Sequence, residues 1–174
     1  MISKIKPLLT FKDLGVVVHA FITSRLDYCN SLYAGTCQRQ LSRLQLVQNA
    51  AARLLTGTKK RDHITPVLRC LHWLPVHYRI EYKISLMVFK AMHNMSPNYI
   101  VDLLGSYKSG RTLRSTNQLL LTVPYSKKKS KGDRAFSVVA PKLWNSLPSH
   151  IRLAQTIDIF KSQLKTYLFN LAFS

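Results

Sequence analysis

The sequence contains very few acidic residues. Only 7 of its 174 residues are Asp or Glu, and Glu81 is the sole glutamate, against 26 Lys and Arg. The formal net charge is therefore +19 at neutral pH. Because excess charge of one sign destabilises a compact monomer by self-repulsion, we expect a polyanionic partner, and nucleic acid is the first candidate. A solvated cationic surface that binds nothing is the alternative.

Long apolar runs and a full set of paired cysteines are also missing. No stretch approaches the roughly 20 apolar residues of a membrane-spanning helix, so we expect no membrane partner. The N-terminal string MISKIKPLL lacks the apolar core and small residues of a secretory signal. Three cysteines cannot all pair within one chain, which favours a reducing compartment. The expected location is the nucleus or cytoplasm, not the secreted space.

The few acidic residues argue against an enzyme. Polymerases and nucleases need carboxylates that converge on divalent metals, because two cations stabilise the attacking and leaving oxygens. The seven acids here are scattered, without an Asp-Asp pair or a close catalytic spacing. The six glycines stand isolated, so no phosphate-binding glycine loop is present. We expect no catalytic residues, no cofactor and no enzymatic activity.

A zinc site has one weak candidate. Cys70, His72 and His77, with Cys37 or Cys29, offer the thiolates and imidazoles that zinc prefers. Their C-x-H-x4-H spacing is not that of a zinc finger. A buried, reduced Cys70 beside a histidine between helices is the alternative, and we predict no metal.

Helical periodicity dominates the first 104 residues. The string RQLSRLQLVQNAAARLLTG, from Arg39 to Gly57, predicts one amphipathic helix with a cationic back, and Gly57 favours a left-handed helix end. Its apolar side is expected to hold Leu41, Leu44, Val47, Ala51, Leu54 and Leu55. Further helices are predicted within 13–33, 62–71, 76–95 and 96–104, with Asp62 and Ser96 as caps.

The composition changes at Gly105. Between Gly105 and Arg134 eight cations face one acid, Asp133. Within this segment LLLTVPY and RAFSVVA predict the two strands of a β-hairpin whose tip is SKKKSKGD. Thr156 is expected to cap a C-terminal amphipathic helix. The predicted fold is mainly α: an amphipathic helical bundle with one late β-hairpin and a C-terminal amphipathic helix. We expect two regions, a helical region at 1–104 and a region at 105–174 with the basic hairpin and the last helix.

The candidate nucleic-acid contacts are the cations of these two regions. The first group lies in the basic segment: Arg111, Arg114, Lys127, Lys128, Lys129, Lys131 and Arg134. The second lies on and after the central helix: Arg39, Arg43, Arg53, Lys59, Lys60 and Arg61. Tyr107 and Tyr125 could stack on unpaired bases, whereas Trp73 and Trp144 favour the core. A solvated hairpin tip is the alternative for the lysine cluster.

Several long strings, in order over nearly the whole chain, resemble one family. They are SRLDYCNSLYAG (Ser24 to Gly35), RLQLVQNAAARLLTGT (Arg43 to Thr58), HITPVLRCLHWLPVHYRI (His63 to Ile80), FKAMHNMSPNYIVDLL (Phe89 to Leu104), LRS (Leu113 to Ser115), RAFSVVAPKLWNSLPSHIR (Arg134 to Arg152) and FKSQLKTYLF (Phe160 to Phe169). Together they resemble the C-terminal part of the reverse transcriptase polyprotein of LINE-type, non-LTR retrotransposons.

The resemblance implies a fragment without polymerase activity. In that family an endonuclease and a palm with metal-binding aspartates precede the thumb and C-terminal region, and the aromatic-x-Asp-Asp motif of the palm does not occur here. Region 1–104 would correspond to the thumb, which grips template and primer. Some relatives carry a Cys/His zinc knuckle, whose spacing the cysteines here do not match.

Three hypotheses follow from the sequence. The first is a non-catalytic segment that binds RNA, DNA or an RNA/DNA hybrid through Lys and Arg contacts with phosphates. The second is an interaction or assembly module that packs its amphipathic helices on the missing palm or on a second copy. The third is a relic reading frame without a selected role.

Overall fold

The computed structural model describes residues 2–107, 118–128 and 131–174. Among these residues helices predominate, which confirms the predicted mainly α class. The α-helices are α1 (Ile2–Ile5), α2 (Phe11–Val18), α3 (Ser24–Asp27), α4 (Gln38–Thr56), α5 (Thr65–Cys70), α6 (Val76–Met92), α7 (Asn98–Val101), α8 (Phe136–Ser146), α9 (Ser149–Arg152) and α10 (Ile157–Phe173). The strands are β1 (Gly105–Ser106) and β2 (Leu121–Thr122), and a π-helical segment, His19–Thr23, joins α2 to α3.

The contacts within the chain define two compact units. Unit 1 comprises Met1–Arg79 and Phe169–Ser174, and unit 2 comprises Ile80–Leu168. Helices α6 and α10 each contribute residues to both units. This division does not follow the change in composition after Leu104, and the separation into regions 1–104 and 105–174 stays a prediction.

Unit 1 is built around α4, the helix that the periodicity predicts. Its end is confirmed at Gly57, which adopts a left-handed conformation (φ 76°) and donates its N–H to the carbonyl of Arg53. Leu14 and Val18 of α2 pack with Ala51 and Leu55 of α4 in one buried cluster. The prediction for Val47 was wrong, because this side chain is exposed.

A polar contact that the periodicity does not predict joins α4 to the start of α6. Gln48 is buried and donates to the carbonyl of Leu74 at 2.8 Å. Gln45 accepts the N–H of Val76 at 2.8 Å and donates to the side chains of Gln48 and Asn49. Since the first N–H groups of a helix have no intrahelical acceptor, Gln45 satisfies one such donor of α6.

Unit 2 has an aromatic core. Phe160 of α10 stacks on Phe89 of α6, with ring centroids 4.3 Å apart, and lies 5.8 Å from Trp144 of α8. All three side chains are fully buried. The start of α10 is confirmed where Thr156 predicts it, because its hydroxyl accepts the N–H of Ile159 at 3.3 Å.

The strand pair is present, but its composition differs from the prediction. The LLLTVPY string contains β2, whose partner is β1, with Gly105 opposite Thr122 and Ser106 opposite Leu121. RAFSVVA does not return as a strand, and its last five residues begin α8. The predicted returning strand was therefore wrong.

The helical alternative prevails because it buries an apolar face that continues past Pro141. Val138, Pro141, Trp144 and Leu147 recur every three residues, and all four are buried. This spacing is typical of one face of a helix. Pro141 lies in the second turn of α8, where it removes one backbone donor. Burial of this face outweighs that loss and the strand preference of the two valines.

Candidate nucleic-acid interface

The basic segment of unit 2 contains a hydrogen-bonded turn, which we call the lysine turn: residues 126–128 and 131–134. The carbonyl of Lys128 accepts the N–H groups of Gly132 and Asp133, at 2.8 and 3.2 Å. The N–H of Arg134 donates to the carbonyl of Lys131. A Cβ atom on Gly132 would lie 2.1 Å from the hydroxyl of Ser126, so the two halves of the turn approach closely only because residue 132 is glycine.

Side chains of α8 fix the chain that leads into the lysine turn. Trp144 donates its indole N–H to the carbonyl of Leu119 at 2.7 Å. Asn145 accepts the N–H of Leu121 at 2.9 Å and donates to its carbonyl at 2.8 Å, as a neighbouring strand would. At its other end the turn runs into α8 through the 3-10 helix Gly132–Arg134. The turn is thus held at both ends by α8.

The charge of the lysine turn is left largely unbalanced. Its one acid, Asp133, pairs with Lys142 of α8 at 3.7 Å. Lys127, Lys128 and Lys131 are exposed, and none of them forms an ion pair within residues 2–107, 118–128 and 131–174. Arg134 is exposed too and has an interaction partner. Three clustered ammonium groups facing solvent can bind phosphate oxygens without competition from carboxylates.

The other predicted residues of the basic segment have no described position. Arg111, Arg114 and Lys129 lie outside the described residues. The structure therefore brings together four of the seven predicted cations of this segment, those of the lysine turn.

The aromatic predictions divide between surface and core. Tyr125 is 88% exposed and precedes the lysine turn by one residue, and Tyr107 is half-exposed. Tyr125 could stack on an unpaired base while the neighbouring lysines contact its phosphates. Trp144 is fully buried, and Trp73 packs against the core cluster of unit 1 and lies edge-on to His19.

In unit 1 the arginines of α4 occupy two separate places. Arg39 and Arg43 are exposed and lie one turn apart on the first half of the helix. Arg53 lies near the opposite end, about 21 Å from Arg39 along the helix axis. The two places can therefore contact only different phosphates.

Arg53 has a structural role that the sequence did not reveal. It is half-buried, and its guanidinium donates to the carbonyls of Lys59, at 3.3 Å, and Asp62, at 2.8 Å. These bonds hold the turn that carries the exposed Lys59, Lys60 and Arg61 against the end of α4. Its phosphate contact stays a prediction.

The prediction that Asp62 caps α5 was wrong. Its carboxylate accepts the N–H of Lys59 at 3.0 Å, and so it closes the turn before the helix. No side chain caps the start of α5 at Ile64. Another cation that the sequence did not single out serves the end of α4, because Lys6 donates to the carbonyl of Leu54 at 2.6 Å.

A groove in unit 1 is a further feature without a sequence signal. It encloses about 490 Å³ between α4, α5 and the start of α6. Helix α4 lines it with both polar and apolar side chains. The lining includes Gln38, Leu41, Ser42, Leu46, Asn49, Ile64 and Leu68. The groove arises from the way three consecutive helices pack, which no local pattern predicts.

Comparison with known proteins does not identify a family for this chain. No family model, curated protein or solved structure matches this chain. The partner of the chain must therefore be inferred from its own charges and geometry.

The described part of the chain offers no assembled metal site. It contains no group of three or more His, Cys, Asp or Glu side chains that could hold an ion. Cys29, Cys37 and Cys70 are exposed thiols, so the expected burial of Cys70 was wrong. His72 stacks on Phe169 with ring centroids 5.5 Å apart.

Among the residues that the structure describes, no helix is long and apolar enough to cross a membrane.

Proposed function

We propose that this chain binds RNA, DNA or an RNA/DNA hybrid without catalysing a reaction, as a C-terminal fragment of a non-LTR retrotransposon reverse transcriptase. The observation that supports the proposal is the lysine turn, where Lys127, Lys128 and Lys131 are exposed without ion-pair partners among the described residues. The net charge of +19 also favours binding to a polyanion. The sequence resemblance supports the family and the absence of catalysis.

Binding would be driven by the release of counterions from the phosphate backbone. Each Lys or Arg that neutralises a phosphate frees a condensed cation, and this gain is independent of base sequence. The flexible lysine stem and compact ammonium act as a point charge, with less geometric selectivity than a guanidinium. Tyr125 would add stacking on unpaired bases, which tolerates any base. The expected result is affinity with little sequence preference.

Sequence independence is the testable consequence. We expect the full chain to bind labelled single-stranded RNAs of equal length and different base order with dissociation constants within about threefold of one another, because phosphate contacts carry no sequence information. Fluorescence anisotropy at one fixed salt concentration measures this, with duplex DNA and an RNA/DNA hybrid as parallel ligands. A preference of about tenfold or more for one RNA would contradict the proposal, since each base read directly contributes about 1–3 kcal/mol.

A second candidate function is a protein-interaction module, and the N-terminal helices favour it. Leu8, Phe11, Val16 and Phe21 are all large apolar side chains and each is more than 60% exposed. Such side chains would be covered by a partner, either the missing palm or a second copy. Sedimentation velocity separates the candidates, because apolar association persists at high salt whereas binding of phosphates weakens. A chain that is folded but neither associates nor binds nucleic acid would favour the relic.

A further inference from the structure

Arg152 is a buried charged side chain in which two of the three guanidinium nitrogens lack a partner among the described residues. It ends α9 in unit 2 and is 5% exposed. Its Nε and Nη1 atoms are buried and have no hydrogen-bond partner among the described residues. Together these two nitrogens carry three N–H donors. Desolvation by burial also lowers the pKa of Arg152.

A guanidinium in this position needs an anion. Arginine does not lose its proton in proteins, so burial cannot be relieved by neutralisation. A buried charge without a partner costs several kcal/mol in general. In the same unit Asp133 is paired with Lys142 and Asp158 with Lys161. Asp102 is exposed, and Glu81 has an interaction partner. None of these carboxylates accepts a bond from Arg152 Nε or Nη1.

Residues next to Arg152 in the chain face solvent. Ser149 and His150, in the same short helix, are exposed, and so is Leu153, the next residue along the chain. Because Nε and Nη1 are themselves buried, an anion can contact them only if the neighbouring residues of α9 move aside.

We propose that Arg152 anchors a binding site for a phosphate-class oxyanion. The choice of phosphate over other oxyanions rests on the proposed function, because a chain that binds nucleic acid meets phosphates at every nucleotide. The anion is either a phosphate of the bound strand or free phosphate. Either would supply acceptors to the three unpaired N–H donors in a charge-assisted geometry.

The test is thermal unfolding of the full chain in inorganic phosphate and in chloride, at equal ionic strength. At about five times its dissociation constant, phosphate is expected to raise the melting temperature of the unmodified chain by about 3 °C, in a saturable manner. Arg152→Met should lose this saturable rise. In chloride the Met variant should melt at or above the unmodified chain, because removing an unpaired buried charge is neutral or stabilising.

Two outcomes would overturn the inference. An equal phosphate effect in Arg152→Met would show an adventitious ion on surface cations only. A Met variant that does not fold, or that melts well below the unmodified chain in chloride, would show that the guanidinium has partners inside the protein. Arg152→Lys is a second variant, and it should raise the phosphate concentration at half-saturation about tenfold because it keeps the charge but not the planar fork.

Gln163 provides the matched control. Its Oε1 atom is also buried without a partner in unit 2. Gln163→Leu removes an unpaired polar atom without changing the charge, so its phosphate effect should equal that of the unmodified chain. An effect lost in this variant too would overturn the assignment to Arg152.

A nucleic-acid arm distinguishes the two sources of phosphate. If the anion belongs to a bound strand, Arg152→Met should make the log–log salt slope for single-stranded RNA shallower by about 0.7. If the anion is free phosphate, the slope stays unchanged while the thermal effect is lost. If phosphate raises the melting temperature in a saturable manner but the chain binds no nucleic acid, the anion site is supported and the proposed function is contradicted.

Discussion

Replacing Phe160 by alanine is expected to lower the free energy of unfolding by about 3–5 kcal/mol. The side chain is fully buried and contacts two other aromatic rings, those of Phe89 and Trp144. Its removal takes away apolar burial and leaves a cavity that the rigid rings on either side cannot fill. Because domains are typically stable by only about 5–15 kcal/mol, this is a large share of the total.

The two tryptophans allow this effect to be assigned to unit 2. The chain has only Trp73 and Trp144, and in a Trp73→Phe background the fluorescence reports on Trp144 beside Phe160. Urea unfolding of Phe160→Ala in this background should show the lower midpoint. Phe21→Ala is the matched control, because Phe21 is 66% exposed and its loss should change the stability by about 0.5 kcal/mol or less. Equal midpoints for the two variants would contradict the aromatic core.

Neutralising the lysine turn is expected to have the largest effect on binding. Lys127→Gln, Lys128→Gln and Lys131→Gln in one chain remove three exposed cations. The log–log salt slope for single-stranded RNA should become shallower by about 2, and affinity at 50 mM salt should fall about a hundredfold. The loss should be equal for RNAs of different sequence, because phosphate contacts are involved. Anisotropy across a salt series measures both quantities.

A control with the same change in net charge separates the turn from bulk electrostatics. Lys83→Gln, Lys161→Gln and Lys165→Gln also remove three cations from unit 2. Lys161 is already paired with Asp158 at 3.2 Å, and Lys83 and Lys165 are exposed on α6 and α10. This variant should keep most of the affinity. If the two triple variants bind equally weakly, the position of the lysines does not matter and the lysine turn is not an interface.

The sequence predicts the long helices well. Helices α4 and α10 have both an apolar stripe at helical spacing and a terminal signal, Gly57 at the end of the first and Thr156 at the start of the second. Helix α6 begins directly after Pro75. Proline is favoured at the start of a helix, where its missing N–H costs no hydrogen bond. Where periodicity and a cap agree, local and tertiary preferences point to the same structure.

The short elements around the basic segment were predicted less well. Strand β1 has two residues, too few to show any alternation, and its pairing with β2 spans a segment of 14 residues. The predicted strand RAFSVVA stops just before Pro141, whereas the apolar face of α8 continues past this proline. The decisive information is tertiary, since the side chain of Asn145 in α8 pairs with Leu121 of β2, and Trp144 donates to the carbonyl of Leu119 just before this strand.

The candidate interface is predictable in kind but not in detail. Composition indicates an anionic partner, and the string SKKKSKGD contains Lys127, Lys128 and Lys131, which the structure places in one turn. Charge alone cannot tell a binding cation from a structural one, however. Arg53 holds a turn through backbone carbonyls, and Arg152 is buried, although nothing in the sequence distinguishes either residue from an exposed cation.

The salt dependence of RNA binding by the unmodified chain tests the central proposal most directly. Circular dichroism first verifies that the chain is folded, and anisotropy with a labelled single strand then gives the dissociation constant from about 50 to 300 mM salt. We predict a linear log–log plot with a slope of about −2 if the three exposed lysines of the lysine turn act alone, and a steeper slope if the cations of unit 1 also contact phosphates. A folded chain that does not bind, or whose affinity is unchanged across the series, would contradict the proposal.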